Sequence, residues 1–170
     1  MTILSSLKEI ADRASENNID TPYMVGGVPR DYAMGLKSIK TSDVDLTTNT
    51  FDDLRLGVIA ANYFNKSFNI FDDGHVSIYF DDYNIDFSSN FRSINVINFL
   101  KSKECTKYIC PAYPDIDSKL FEVYSRDFTI NTLHQDINTK EILDMTERGL
   151  DDISNRILRT PVPPRITISD

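Results

Sequence analysis

Two short segments limit what this chain can fold into: Val25-Gly26-Gly27 and Asp43-Val44-Asp45-Leu46. Tyr23-Met24-Val25 is a brief apolar run that ends in paired glycines, with Arg30 to Met34 behind it and another glycine at Gly35. That order predicts a strand, a glycine turn and a helix. Pro29 suits the first turn of such a helix, because the N–H it lacks had no intrahelical partner. In the second segment acids and aliphatics alternate, so a strand there puts both carboxylates on one face and both aliphatics on the other.

The two segments suggest one chemistry. Glycines ahead of a helix let backbone N–H groups approach a triphosphate closely, and the helix N-terminus favours anions, which makes Gly26 and Gly27 candidate nucleotide-binding residues. Carboxylates at i and i+2 on one strand face can jointly hold Mg²⁺, a hard cation that takes oxygen ligands and bridges phosphates. Asp43 and Asp45 are therefore candidate metal ligands in a two-metal mechanism. Asp86 is the candidate third carboxylate, since it points away from its apolar neighbours Ile85 and Phe87; a solvent-facing strand residue is its alternative reading. Asp81 and Asp82 fall in a predicted turn, where acids are common for conformational reasons. Alone, the glycine pair reads as an ordinary turn and the acid pair as the outer face of an edge strand. In strand, turn, helix, strand order they support each other.

Elsewhere Ile3, Leu4, Leu7, Ile10 and Ala11 recur at helical spacing and stop near Asn17. Phe51 to Phe64 reads as a helix. Phe68–Phe71, His75–Phe80 and Asn84–Ser88 read as an antiparallel meander joined by Asp72-Asp73-Gly74 and Asp81-Asp82-Tyr83 turns. Ser93 to Asp117, with Pro111, Pro114 and several lysines, reads as an irregular excursion. Leu120 to Leu133 returns to helical periodicity, Glu141–Met145 reads as a short strand, and Leu150–Ile157 as a closing helix. Pro161, Pro163 and Pro164 then end regular structure.

With 170 residues and no Gly/Ser-rich linker, one domain with its own core is expected. No apolar run approaches the roughly 20 residues of a membrane span, and the N-terminus lacks a signal-peptide core, so a cytoplasmic location away from membranes is expected. Cys105 and Cys110 lack zinc-site spacing and read as free thiols. A net charge of −8 disfavours broad nucleic-acid binding, so any RNA contact must be local. Basic residues gather at Lys37 and Lys40, at Lys101, Lys103 and Lys107, and from Arg148 through Arg156, Arg159 and Arg165.

Val25-Gly26-Gly27-Val28-Pro29-Arg30-Asp31, then Gly35, then Asp43-Val44-Asp45-Leu46, resembles the head-domain signature of class II tRNA nucleotidyltransferases and bacterial poly(A) polymerases. Ser125-Arg126-Asp127-Phe128-Thr129-Ile130-Asn131-Thr132-Leu133 is similar to that family's RRDFTINAL segment, and Arg148-Gly149-Leu150-Asp151-Asp152-Ile153 to the element that follows it. The resemblance runs from about Thr21 to Thr160. It implies an α+β fold, a polymerase β-like palm whose mixed sheet is flanked by helices. It also implies that Arg126, Asp127 and Asn131 bind the incoming nucleotide near its ribose. Arg126 can fork onto phosphate, and Asp127 and Asn131, four apart on a helix, share one face. Arg30 joins the nucleotide-binding candidates, or pairs with Asp31 to support the glycine turn.

The chain departs from the pattern in three places. Pro29 replaces a valine, Ser125 replaces the first arginine of the RRD motif, and the strand of Asp86 reaches Arg92 with one extra residue. The resemblance further implies a head domain over 1–160, with 161–170 opening a connection to a neck domain that reads the base. The expected activity is Mg²⁺-dependent addition of CMP or AMP, from CTP or ATP, to a tRNA 3′ end. Poly(A) addition, another acceptor of a minimal nucleotidyltransferase, and a nucleotide- or RNA-binding module needing a further segment or partner chain are the alternatives.

Overall fold

The structure is a computed structural model and describes residues 1–168 except 37, 38, 40, 41, 49–51, 73, 88–92 and 116. Lys37, Lys40, Phe51, Asp73, Ser88 and Arg92, all invoked above, lie outside the described residues, as do Ser169 and Asp170.

Helix α1, Ile3–Glu16, begins in a reciprocal cap between Thr2 and Ser5 and buries Leu7, Ile10, Ala11 and Ala14 along one stripe. Strand β1 (Tyr23–Val25) leads through Gly26 into α2 (Gly27–Ala33), followed by β2 (Asp43–Thr47) and α3 (Asp53–Phe64). The meander is β3 (Phe68–Ile70), β4 (Val76–Tyr79) and β5 (Asn84–Phe87). Then come α4 (Ile94–Leu100), a 3₁₀ turn (Lys103–Lys107), α5 (Ser118–Tyr124), a second 3₁₀ turn (Thr129–Asn131), β6 (His134–Asp136), β7 (Ile142–Leu143), α6 (Gly149–Asn155) and α7 (Pro164–Thr167).

The strands form one mixed sheet in the order β3-β4-β5-β2-β1-β6-β7, with β2 and β5 parallel and the other pairs antiparallel. Alternation gives the sheet two characters. Met24, Val44, Leu46, Val76, Ile78, Ile85 and Phe87 enter one core with the buried stripes of α1 and α3. Gly57 lets α3 lie directly on β4, since a Cβ there would fall 2.9 Å from Val76. The other face carries Asp43, Asp45 and Asp86.

Three expectations change. The stretch from Ser93 is not an irregular excursion: α4 and its 3₁₀ turn pack into a second core, where Val96, Phe99 and Leu100 meet Leu120, Val123, Tyr124 and Met145. Helical periodicity from Leu120 to Leu133 does not make one helix, because α5 stops at Tyr124 and Phe128 is extended. Asp127 Oδ1 accepts the Phe128 N–H at 2.8 Å, and Thr129 Oγ1 donates to buried Asp152 at 2.5 Å, tying the chain into its new direction. Regular structure also resumes within the proline cluster, where Pro164 opens α7, and α7 and the buried Val162 close the second core. Both cysteines are free thiols, and no helix among the described residues is long and apolar enough to cross a membrane.

Candidate active site

Gly26 joins β1 to α2 with φ +71°, a conformation that side-chain-bearing residues rarely adopt. Space makes the same demand, since a Cβ there would stand 3.0 Å from Asp45 Oδ2 and 3.9 Å from Arg126 Nη1. The bare backbone of the turn, a β2 carboxylate and an arginine from far along the chain thus converge. An open cleft of about 400 Å³ lies over them. Gly26, Gly27, Arg30 and Asp45 line it together with Ser125, Arg126, Asp127 and Asn131. Seven of the nine residues expected from sequence are therefore in one cleft, and Asp43 and Asp86 stand beside it on the same sheet face.

The parallel pairing of β2 with β5 sets Asp45 directly opposite Asp86, while Asp43 lies one alternation away. Burial lifts the Asp45 carboxyl above its ordinary range; Arg126 pulls it back, and Asp86 and Asp43 add to the rise. Asp43 accepts hydrogen bonds from Ser42 Oγ at 3.0 Å and Asn84 Nδ2 at 3.1 Å. Asp86 Oδ1 is buried without a hydrogen-bond partner among the described residues, 3.9 Å from His75 Nε2. An orphaned carboxylate oxygen beside two more carboxylates suits a divalent cation, which would satisfy the oxygen and relieve the crowded charge. No three acidic, histidine or cysteine side chains among the described residues are drawn into a ready-made cage.

Arg30 is committed to protein. Its Nε and Nη2 donate to Asp31 Oδ1 at 3.0 and 2.9 Å, and its Nη1 donates to Asn131 Oδ1 at 3.0 Å. Asn131 Nδ2 in turn donates to Asp127 Oδ1 at 2.9 Å. The expected proximity of Asp127 and Asn131 is present, but it comes from the turn after α5 and not from a shared helix face. Ser125, at the lost arginine, turns inward: its hydroxyl donates to Phe121 O at 2.6 Å and accepts from Ser93 N at 3.1 Å.

Sequence reasoning missed Glu122. This fully buried carboxylate accepts both Nε and Nη2 of Arg126 on its Oε1, the first at 2.7 Å. Burial by itself would raise its carboxyl, but Arg126 and His134 outweigh burial and hold it down at about 2. Its spacing of four before Arg126 on a helical stretch was the available signal.

The sequence model of the poly(A) polymerase head domain matches residues 22–159. Over 180 aligned residues the chain is 28% identical to a tRNA nucleotidyltransferase of Schizosaccharomyces pombe, covering 95% of this chain and 36% of that protein. A 62-residue stretch is 37% identical to the mitochondrial CCA tRNA nucleotidyltransferase of Saccharomyces cerevisiae, covering 36% of this chain and 10% of that one. Among solved structures, a tRNA nucleotidyltransferase complexed with a primer tRNA and an incoming ATP analog superposes with a TM-score of 0.67 at 21% identity, over 95% of this chain and 41% of that one. A CCA-adding enzyme with ATP gives 0.66 at 20% identity, over 94% and 34%. At these identities the structural likeness is one of fold. The chain spans about a third of the length of the first of these relatives.

Proposed function

The chain belongs to the poly(A) polymerase head-domain family, and on that premise we propose that it is the catalytic head of a metal-dependent nucleotidyltransferase. The reaction adds CMP or AMP, from CTP or ATP, to the 3′ end of tRNA. The observation that carries the reading is the convergence of Gly26, Asp45 and Arg126 on one cleft, beside the orphaned oxygen of Asp86.

In the proposed reaction the RNA 3′-hydroxyl releases its proton to solvent and its oxygen bonds to the α-phosphorus of the triphosphate, as the bond from that phosphorus to the bridging oxygen breaks and pyrophosphate leaves. Asp43, Asp45 and Asp86 would hold Mg²⁺, which activates the hydroxyl and steadies charge at phosphorus when bound. The backbone of Gly26 and Gly27 lines the cleft with no Cβ in the way and lets N–H groups approach the triphosphate, and Arg126 Nη1, with no partner among the described residues, offers it a charge-assisted hydrogen bond. Asp127 and Asn131 receive the ribose, and Arg30 holds Asn131 in orientation for it. Catalysis of this kind rests on positioning and on charge placed in advance.

Titration of the chain with ATP and CTP, with and without Mg²⁺, tests the reading. Mg²⁺ is expected to tighten binding in the wild type and to have little effect in Asp45→Asn. Equal Mg²⁺ dependence in both proteins would contradict the metal assignment.

A further inference from the structure

We propose that Glu122 is a positioning residue for the triphosphate-facing Arg126, and that buried His134 anchors Glu122 from behind. The inference rests on the reading of the cleft as a nucleotide site. A guanidinium has two usable edges. On Arg126, the Nε and Nη2 edge is taken by Glu122 Oε1, while Nη1 lies on the side of the Gly26 turn. An unheld arginine loses rotamer freedom when it binds a phosphate, and one already fixed by a carboxylate loses less.

The carboxylate is itself fixed. Glu122 Oε2 lies 3.5 Å from His134 Nε2, a long contact, and makes no closer bond among the described residues. Both ring nitrogens of His134 face acceptors, Nδ1 at 3.2 Å from Thr132 O and Nε2 toward Glu122 Oε2, so the ring anchors the carboxylate in the form that carries a proton on each nitrogen. The imidazole also meets the Tyr23 ring edge-on at 5.8 Å, and Lys119 Nζ sits 5.1 Å over that ring. Glu122 is thus held between one cation that reaches the cleft and one ring that does not.

A double-mutant cycle on nucleotide affinity, read with ATP and Mg²⁺ by calorimetry, tests this. Glu122→Gln is expected to weaken ATP by about tenfold or more. In an Arg126→Gln background the same change is expected to cost nothing further. The Arg126 Nε–H resonance, observed by NMR without ligand, should be sharp and shifted in the wild type and lost in Glu122→Gln. If Glu122→Gln fails to fold by thermal melt, His134→Gln replaces it, with a smaller loss that also vanishes in the Arg126→Gln background. Losses that add, or unchanged affinity in both variants, overturn the proposal. A wild-type chain that binds no ATP, yet shows the Arg126 resonance held by Glu122, overturns the nucleotide reading of the cleft and this role with it.

Discussion

Arg30 and Asn131 stand 101 residues apart in the chain, yet the guanidinium Nη1 of one donates to the amide oxygen of the other at 3.0 Å. The bond ties the first half of the cleft, built from the glycine turn, to the second half, built from the turn after α5. It also settles the amide's orientation: Oδ1 accepts from Arg30 and Nδ2 donates to Asp127. Asp31 holds the rest of the guanidinium, so Arg30 acts as a bracket between the two motifs.

Arg30→Lys should break this bracket. An ammonium is a point charge and cannot reproduce three donors in a planar fork. Calorimetric titration with ATP is expected to show affinity falling about tenfold, with the unfolding midpoint changed little, since the residue is partly exposed. Unaltered affinity would mean that Asn131 needs no such support.

Gly26→Ala combines strain at φ +71° with a contact of 3.0 Å against Asp45 Oδ2. The backbone cost is about 1 kcal/mol, and the carboxylate must move as well. Urea unfolding should register the first effect, and loss of Mg²⁺-dependent nucleotide binding the second. Gly35→Ala is the control: it shares the positive φ, at +96°, but a Cβ there has open space.

Gly149→Ala acts from a distance. Its Cβ would come within 2.7 Å of Thr129 O and 2.8 Å of Leu133 Cδ2, so α6 must back away from the turn that carries Asn131. Overpacking of this kind costs about 1–3 kcal/mol. Denaturant unfolding should show that loss, and the nucleotide titration should weaken alongside it.

Asp53 gives stability a pH dependence. Burial raises its carboxyl to about 6, against the lowering effect of hydrogen bonds from the Thr48 N–H and hydroxyl. A carboxyl raised on folding binds its proton more tightly in the native state, so its contribution is present at low pH and lost as pH rises from about 4 to 6. Unfolding free energies of wild type and Asp53→Asn, measured from pH 4 to 7, should therefore diverge, the wild type losing on the order of 2–3 kcal/mol relative to the variant. Parallel curves would show that the carboxyl is not raised.

The glycine turn, the strand bearing Asp43 and Asp45, and the meander bearing Asp86 were legible because each is a local pattern: punctuation before a helix, or strict alternation on a half-buried strand. Strand β6 was not, because His134–Asp136 is three residues long and its pairing with β1 is decided by tertiary contact. Val96, Phe99 and Leu100 do carry the i, i+3, i+4 spacing of a helix, but the lysines and prolines that follow obscured it. Leu120 to Leu133 misled in the opposite sense. Its apolar periodicity continues through Ser125, while Asp127 and Thr129 find side-chain and backbone partners that bend the chain away. Glu122 was hidden for a related reason, since a lone acid at helical spacing reads as surface until burial is known.

Transfer of a nucleotide to an RNA end by the acidic face of β2 and β5 is the proposed reaction. It is tested most directly by incubating the purified chain with Mg²⁺, labelled CTP or ATP, and tRNA lacking its 3′-terminal nucleotides, beside the Asp43→Ala/Asp45→Ala variant. The wild type is expected to extend the tRNA and the folded variant to leave it unchanged. Equal extension by both proteins would contradict the proposed reaction.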